Sequence, residues 1–214
     1  MGLKRAIRSL PEGYELLADI DLSKNVRLLV FLSLASLILF ILTGLGLSFL
    51  MPTLRPDLIG VEISLTMAQL GFFSFLGPIL ILIGVTVVMI VLHEAIHGIV
   101  FMLITGGKVT YGFKGTHAYA AAPGWFIPRN PYLLVTLAPL VVITLLGLLV
   151  VLWVPIGWVL PIALLVSMNA AGAVGDLYMF FWLLCRPADV LIQDFGDRME
   201  IFAPAAISGE TAGS

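Results

Sequence analysis

Val91-Leu92-His93-Glu94-Ala95-Ile96-His97-Gly98 lies in the middle of a long apolar run. Two histidines and a glutamate are costly there if the run crosses a bilayer, because each ionisable group must leave water. On a helix, positions i and i+4 share one face. His93 and His97 can therefore offer ring nitrogens to a single metal ion. Glu94 is turned by roughly 100° from His93, so it stands beside such an ion rather than in line with the histidines. This is the spacing H-E-x-x-H, in which two histidines bind zinc and the glutamate acts as a general base.

The surrounding composition sets the class. The 214 residues are 60% hydrophobic and 11% charged, with a mean hydropathy of +1.11. Soluble domains carry about 25% charged residues. The chain reads as one polytopic, all-α membrane unit with about four transmembrane helices. A net charge of −2 gives no footprint for nucleic acid. The single cysteine, Cys185, excludes an intramolecular disulfide.

Working outward from the motif, the span that holds it is expected over about 76–104, ending at Thr105-Gly106-Gly107. Before it lies a first span over about 27–50, with Asp21-Leu22-Ser23 as a helix cap. Residues 53–74 read as a loop plus an interfacial helix. After the motif, residues 108–126 alternate Val109, Tyr111 and Phe113 with smaller or polar residues, the pattern of a short β-hairpin or extended strap. A third span is expected over about 131–153 and a fourth over about 158–184, joined by Pro155-Ile156-Gly157 between Trp153 and Trp158, residues suited to a membrane interface. The chain thus divides into a polar leader (1–26), a transmembrane core (27–186) and a tail (187–214) expected to fold as a hairpin. The leader has no short apolar core of the cleaved-signal kind, so the first span is expected to remain.

Lysine and arginine orient the spans. With four crossings, both termini and the 105–130 loop share one side. That side holds Lys4, Arg5, Arg8, Lys24, Arg27, Lys108, Lys114, Arg129, Arg186 and Arg198, and the other holds Arg55. The positive-inside rule then puts both termini, the hairpin segments and the nearer end of the motif in the cytoplasm of a multi-pass cell-membrane protein.

Inside the four proposed spans the acids and bases are His93, Glu94, His97 and Asp176. The histidine pair lies ~16 Å from the Gly106 end of its span, and Asp176 lies ~15 Å from the Arg186 end of another, at 1.5 Å per residue. The two depths agree. Two carboxylates and two neutral imidazoles sum to −2, which one divalent cation neutralises. Two histidines and a carboxylate also make a regular catalytic zinc set with a fourth position for water. The reading is therefore one Zn2+ per chain, held by His93, His97 and Asp176, with Glu94 as the base. His117, in the hairpin segment, is a candidate substrate-binding residue, an oxyanion donor or a rival third ligand, and Asn169, two turns before Asp176, is placed either to bind substrate backbone or to make an interhelical hydrogen bond. A non-catalytic metal or proton carrier, or an adaptor with a structural metal, is the alternative. The outer halves of the spans are almost wholly apolar, which disfavours a carrier.

These residues carry a resemblance. His93-Glu94-x-x-His97-Gly98 with a distant Gly175-Asp176 resembles the zincin-peptidase family of small prokaryotic membrane proteins. Leu10-Pro11-Glu12-Gly13-Tyr14 in the leader and Asp194-Phe195-Gly196-Asp197 in the tail resemble it too. More distantly, the chain is similar to site-2-type intramembrane metalloproteases. The resemblance implies a zinc metallopeptidase acting on membrane protein or peptide substrates in or near the bilayer.

Overall fold

The structure, a computed structural model, describes residues 5–21, 25–59, 72–114, 117–196 and 198–205. Among these residues five α-helices carry most of the structure, and six short strands form two antiparallel sheets.

Helix α1 (Val26–Leu54) opens on Asn25, whose side-chain oxygen accepts the Leu28 amide at 3.1 Å. The cap expected at Asp21-Leu22-Ser23 is thus replaced by Asn25: Asp21 closes a strand opposite Arg198, and residues 22–24 lie outside the described residues. The 53–74 segment is described only to 59, where Pro56–Leu58 make one 3-10 turn; its remainder up to 71 is likewise outside. Helix α2 (Phe72–Thr105) begins earlier than the apolar pattern suggested and stops where expected. Gly106 adopts φ +65°, and its amide bonds Met102 O at 2.8 Å, a left-handed helix end that glycine adopts at no steric cost. Helix α3 (Arg129–Val151) is the most enclosed: 33% of its apolar window is buried, against 6% for α1 and 11% for α2.

The expected fourth span is two helices, α4 (Ile156–Gly172) and α5 (Val174–Leu184), bent by 43° at Ala173. Among the described residues, three helices are long and apolar enough to cross a membrane, or four if this bent pair is one span. The break falls in Ala170-Ala171-Gly172-Ala173, where no large side chain stiffens the turn and glycine costs helix stability. Carbonyls freed at the break find partners. Ser36 of α1 donates to Ala171 O at 2.9 Å, and the Ala173 amide bonds Asn169 O at 2.9 Å.

The leader and the tail, far apart in sequence, form one sheet. Strands β1 (Tyr14–Asp21), β6 (Arg198–Pro204), β5 (Leu191–Asp194) and β4 (Ile127–Pro128) lie side by side in that order. The expected tail hairpin is β5–β6. The leader strand β1 carried no clear sequence signal, because its alternation is weak and its partner is remote. Register runs from Tyr14↔Pro204 to Asp21↔Arg198, and Arg198 pairs with Asp19 at 2.8 Å and Glu200 at 2.6 Å. Strand β6 buries Met199, Ile201 and Ala203 on one face, the period-2 pattern of a half-buried strand. That face packs with Phe101 of α2, Tyr132 and Val135 of α3, and Met179 and Leu183 of α5. A second core, Leu47, Met51, Val151, Val159 and Val166, ties α1, α3 and α4 together elsewhere in the bundle.

The other sheet is the expected hairpin, β2 (Thr110–Lys114) with β3 (His117–Ala121). Chain connectivity puts both sheets at one end of the bundle: α2 ends into β2, β4 leads into α3, and α5 ends before β5.

Candidate metal centre

The H-E-x-x-H segment is fully helical within α2, so His93 and His97 stack one turn apart. Their ring centroids are 4.9 Å apart at 73°. Both are buried, at 7% and 8% exposed, by helices that meet here. The break at Ala173 turns the chain so that Asp176 falls in the first turn of α5. Free backbone amides and the helix dipole favour a carboxylate at that position. Asp176 Oδ2 lies 3.1 Å from His93 Nε2 and 3.4 Å from His97 Nε2. One ligand atom from each residue lies within 4.8 Å of the others. Donors of one zinc sit about 2.0–2.2 Å from the ion. Such a triplet needs only small adjustments to surround one.

Donor chemistry fits a divalent cation as well. Without one, a buried imidazole pair and a buried carboxylate answer each other only through hydrogen bonds. With one, the two ring nitrogens and the carboxylate oxygen meet a positive centre that offsets their loss of water.

Glu94 lies on the same cleft but off the line of the histidines, where the Ala120 backbone amide hydrogen-bonds its carboxylate. The cleft holds about 160 Å³, open on one side. Ala118, Tyr119 and Ala120 of β3 form one wall, and Phe101, Thr136 and Met179 come from the helices. The hairpin is seated by glycines. A β-carbon on Gly196, at φ +98°, would lie 2.4 Å from the Tyr119 ring, so Tyr119 rests directly on that turn.

Asn169 is wholly buried on α4 and reaches His93: its Oδ1 lies 3.0 Å from His93 Nδ1. His97 Nδ1, also buried, has no hydrogen-bond partner among the described residues. The side chain of His117 lies outside the described residues; its backbone opens β3 opposite Lys114.

Two cleft residues escaped the sequence reading. Tyr132 of α3 donates its hydroxyl to Asp194 Oδ2 at 2.5 Å, and the Gly196 amide donates to Asp194 Oδ1 at 2.6 Å. Burial pushes the Asp194 carboxyl up to about 6, although both hydrogen bonds pull it down. The Asp194-Phe195-Gly196 turn was visible in the sequence. That its acid faces the same cleft as the histidines was not, because the tail reaches the site only through the sheet.

No curated protein and no solved structure matches the chain. Residues 86–191, from the middle of α2 to the start of β5, match the family model described as "Putative zincin peptidase".

Proposed function

We propose that this protein is a zinc endopeptidase that cuts membrane-associated protein or peptide substrates at, or just inside, the bilayer surface. The observation that carries the reading is the convergence of His93, His97 and Asp176 from two helices, with Glu94 beside them in an open cleft. Zinc bound there would polarise the scissile carbonyl and bring the pKa of a bound water to about 7. Glu94 stands where it can take the proton of the attacking water and pass it to the leaving amine nitrogen. Its carboxylate is held for this by the Ala120 amide.

The β3 strand supplies a way to hold substrate. Ala120 directs its amide to Glu94, away from β2, and in an antiparallel ladder alternate residues face the same edge. Ala118 therefore shares that outward edge on the cleft wall. An extended peptide added along it would run past the histidines, and extended backbone is what a peptidase cleaves. Water would enter from the end of the bundle that carries the two sheets. The lysine and arginine distribution makes this the cytoplasmic side.

The test uses the purified full-length protein and a synthetic membrane-spanning peptide. It should contain about one zinc per chain, as a three-ligand site predicts, and His93→Ala and Asp176→Ala should lose it. Glu94→Gln should retain the metal and lose cleavage. Cleavage that survives in Glu94→Gln refutes the reading.

A further inference from the structure

The two histidines of the candidate centre are held differently, and the difference fixes a proton. Asn169 Nδ2 donates to the Pro139 carbonyl of α3 at 3.2 Å. A carbonyl only accepts, so the amide nitrogen of Asn169 must be the group that faces it. That leaves Oδ1, also only an acceptor, facing His93 Nδ1 at 3.0 Å. Nδ1 must then carry a hydrogen, which leaves Nε2 as the ring nitrogen able to ligate a metal. Nε2 is the nitrogen that lies 3.1 Å from Asp176. His97 has no such partner, since its Nδ1 is buried and unpaired among the described residues.

From this chain of contacts we infer that Asn169 is a positioning residue: through Pro139 it holds a hydrogen on Nδ1 of His93 and aims Nε2 at the metal position. The inference rests on the metal reading above for its purpose, but not for its geometry. Asn169 is 0% exposed, so it acts through His93 and has no surface to offer a substrate. Its backbone serves the same end, because Asn169 O accepts the Ala173 amide at the break that brings Asp176 round. One side chain thus holds a ligand of α2 against α3. Ligand histidines commonly donate their second ring hydrogen to such a partner, and losing it weakens metal binding about 10- to 100-fold.

The first measurement needs no variant. In metal-free full-length protein, the ring nitrogen-15 shifts of His93 should report a hydrogen on Nδ1, whether or not Nε2 also carries one toward Asp176. A His93 whose Nδ1 carries no hydrogen, or carries one only half of the time, overturns the inference. The second compares zinc affinity, by chelator competition, in Asn169→Leu and Asn169→Asp. Leucine keeps the size and removes the acceptor, and should weaken zinc binding about 10- to 100-fold. Aspartate restores an acceptor for Nδ1–H and should recover a good part of that loss. Wild-type affinity in Asn169→Leu refutes the inference, as does an equal loss in both variants. Should the wild-type protein bind no zinc, the metal reading falls, while the hydrogen on His93 Nδ1 still decides the role of Asn169.

Discussion

The phenol oxygen of Tyr111 lies 1.8 Å from where a β-carbon on Gly98 would sit. The residue directly after the second histidine must therefore be glycine for the hairpin to lie against α2 as it does. Tyr111 is itself half exposed, so it can swing away if pushed. Gly98→Ala should fold and still bind zinc, but lift Tyr111 and displace the β3 wall from Glu94. A shift of about 1 Å near a reacting group can cost ~100-fold in rate. We expect peptide cleavage to fall between about 10- and 100-fold. Adding Tyr111→Ala should return part of it, because the clash is then gone. The double-mutant cycle in kcat/KM should be strongly non-additive, and simple additivity would show that the contact is incidental.

Removing Glu94 should affect rate and not metal. General base catalysis contributes typically 10²–10⁴-fold, so kcat of Glu94→Gln should drop by about that much with zinc content unchanged. A strong chelator should abolish cleavage by the wild type, and stoichiometric zinc should restore it. Activity that persists in chelator would show that another group performs the hydrolysis.

Asp194 should give the fold a pH dependence of unusual sign. Its carboxyl is raised from 3.8 to about 6 by burial, so the fold favours the protonated form. The stabilising contribution is complete below pH 3.8 and is lost as pH rises through about 6. Above that, the buried charge costs about 3 kcal/mol. Asp194→Asn is close in shape, and the Tyr132 hydroxyl can turn to accept from the new amide. Metal-free Asp194→Asn should melt higher than wild type at about pH 8 and close to it at about pH 4. The opposite order in thermal unfolding would mean that the charge itself holds the β5–β6 turn to the helices.

At the other end of α3, Arg55 joins the bundle in a different way. Its guanidinium donates to Val151 O at 2.7 Å and Val154 O at 2.9 Å, and forks onto both oxygens of Asp57. Val151 and Val154 stand at the α3 end, where carbonyls have no helical partners. Arg55→Ala should lower the melting temperature in detergent by a few degrees. Arg55→Lys should not rescue it fully, because an ammonium cannot reproduce the planar fork. Zinc affinity should be unchanged in both, since the contact is far along the bundle from His93. A parallel fall in zinc affinity would show that the two ends are coupled.

Helix positions were legible because a membrane span is a local property. Each run of apolar residues declares itself without knowing its neighbours, and the stops at Gly106 and Arg186 are written in the adjacent residues. The spacing of His93, Glu94 and His97 needed only the period of one helix. Asp176 needed one more step, an equality of depth, which works when spans run straight and in the same direction. The segment that carries Asp176 is in fact a bent helix pair, and the break at Ala173 falls three residues before it.

The sequence by itself determined that apolar helices carry two histidines and two carboxylates into a place that disfavours them, because hydropathy and helical periodicity are read residue by residue. Only the tertiary structure decided which atoms meet. The pairing of β1 with β6 links residues more than 170 positions apart, so neither strand's own pattern names the other. The approach of Asp194 to the cleft depends on that sheet, and the bond from Asn169 to His93 depends on how α4 lies against α2 and α3. Such contacts follow from packing between distant segments, where the favourable geometry belongs to the assembled bundle and to no single stretch of chain.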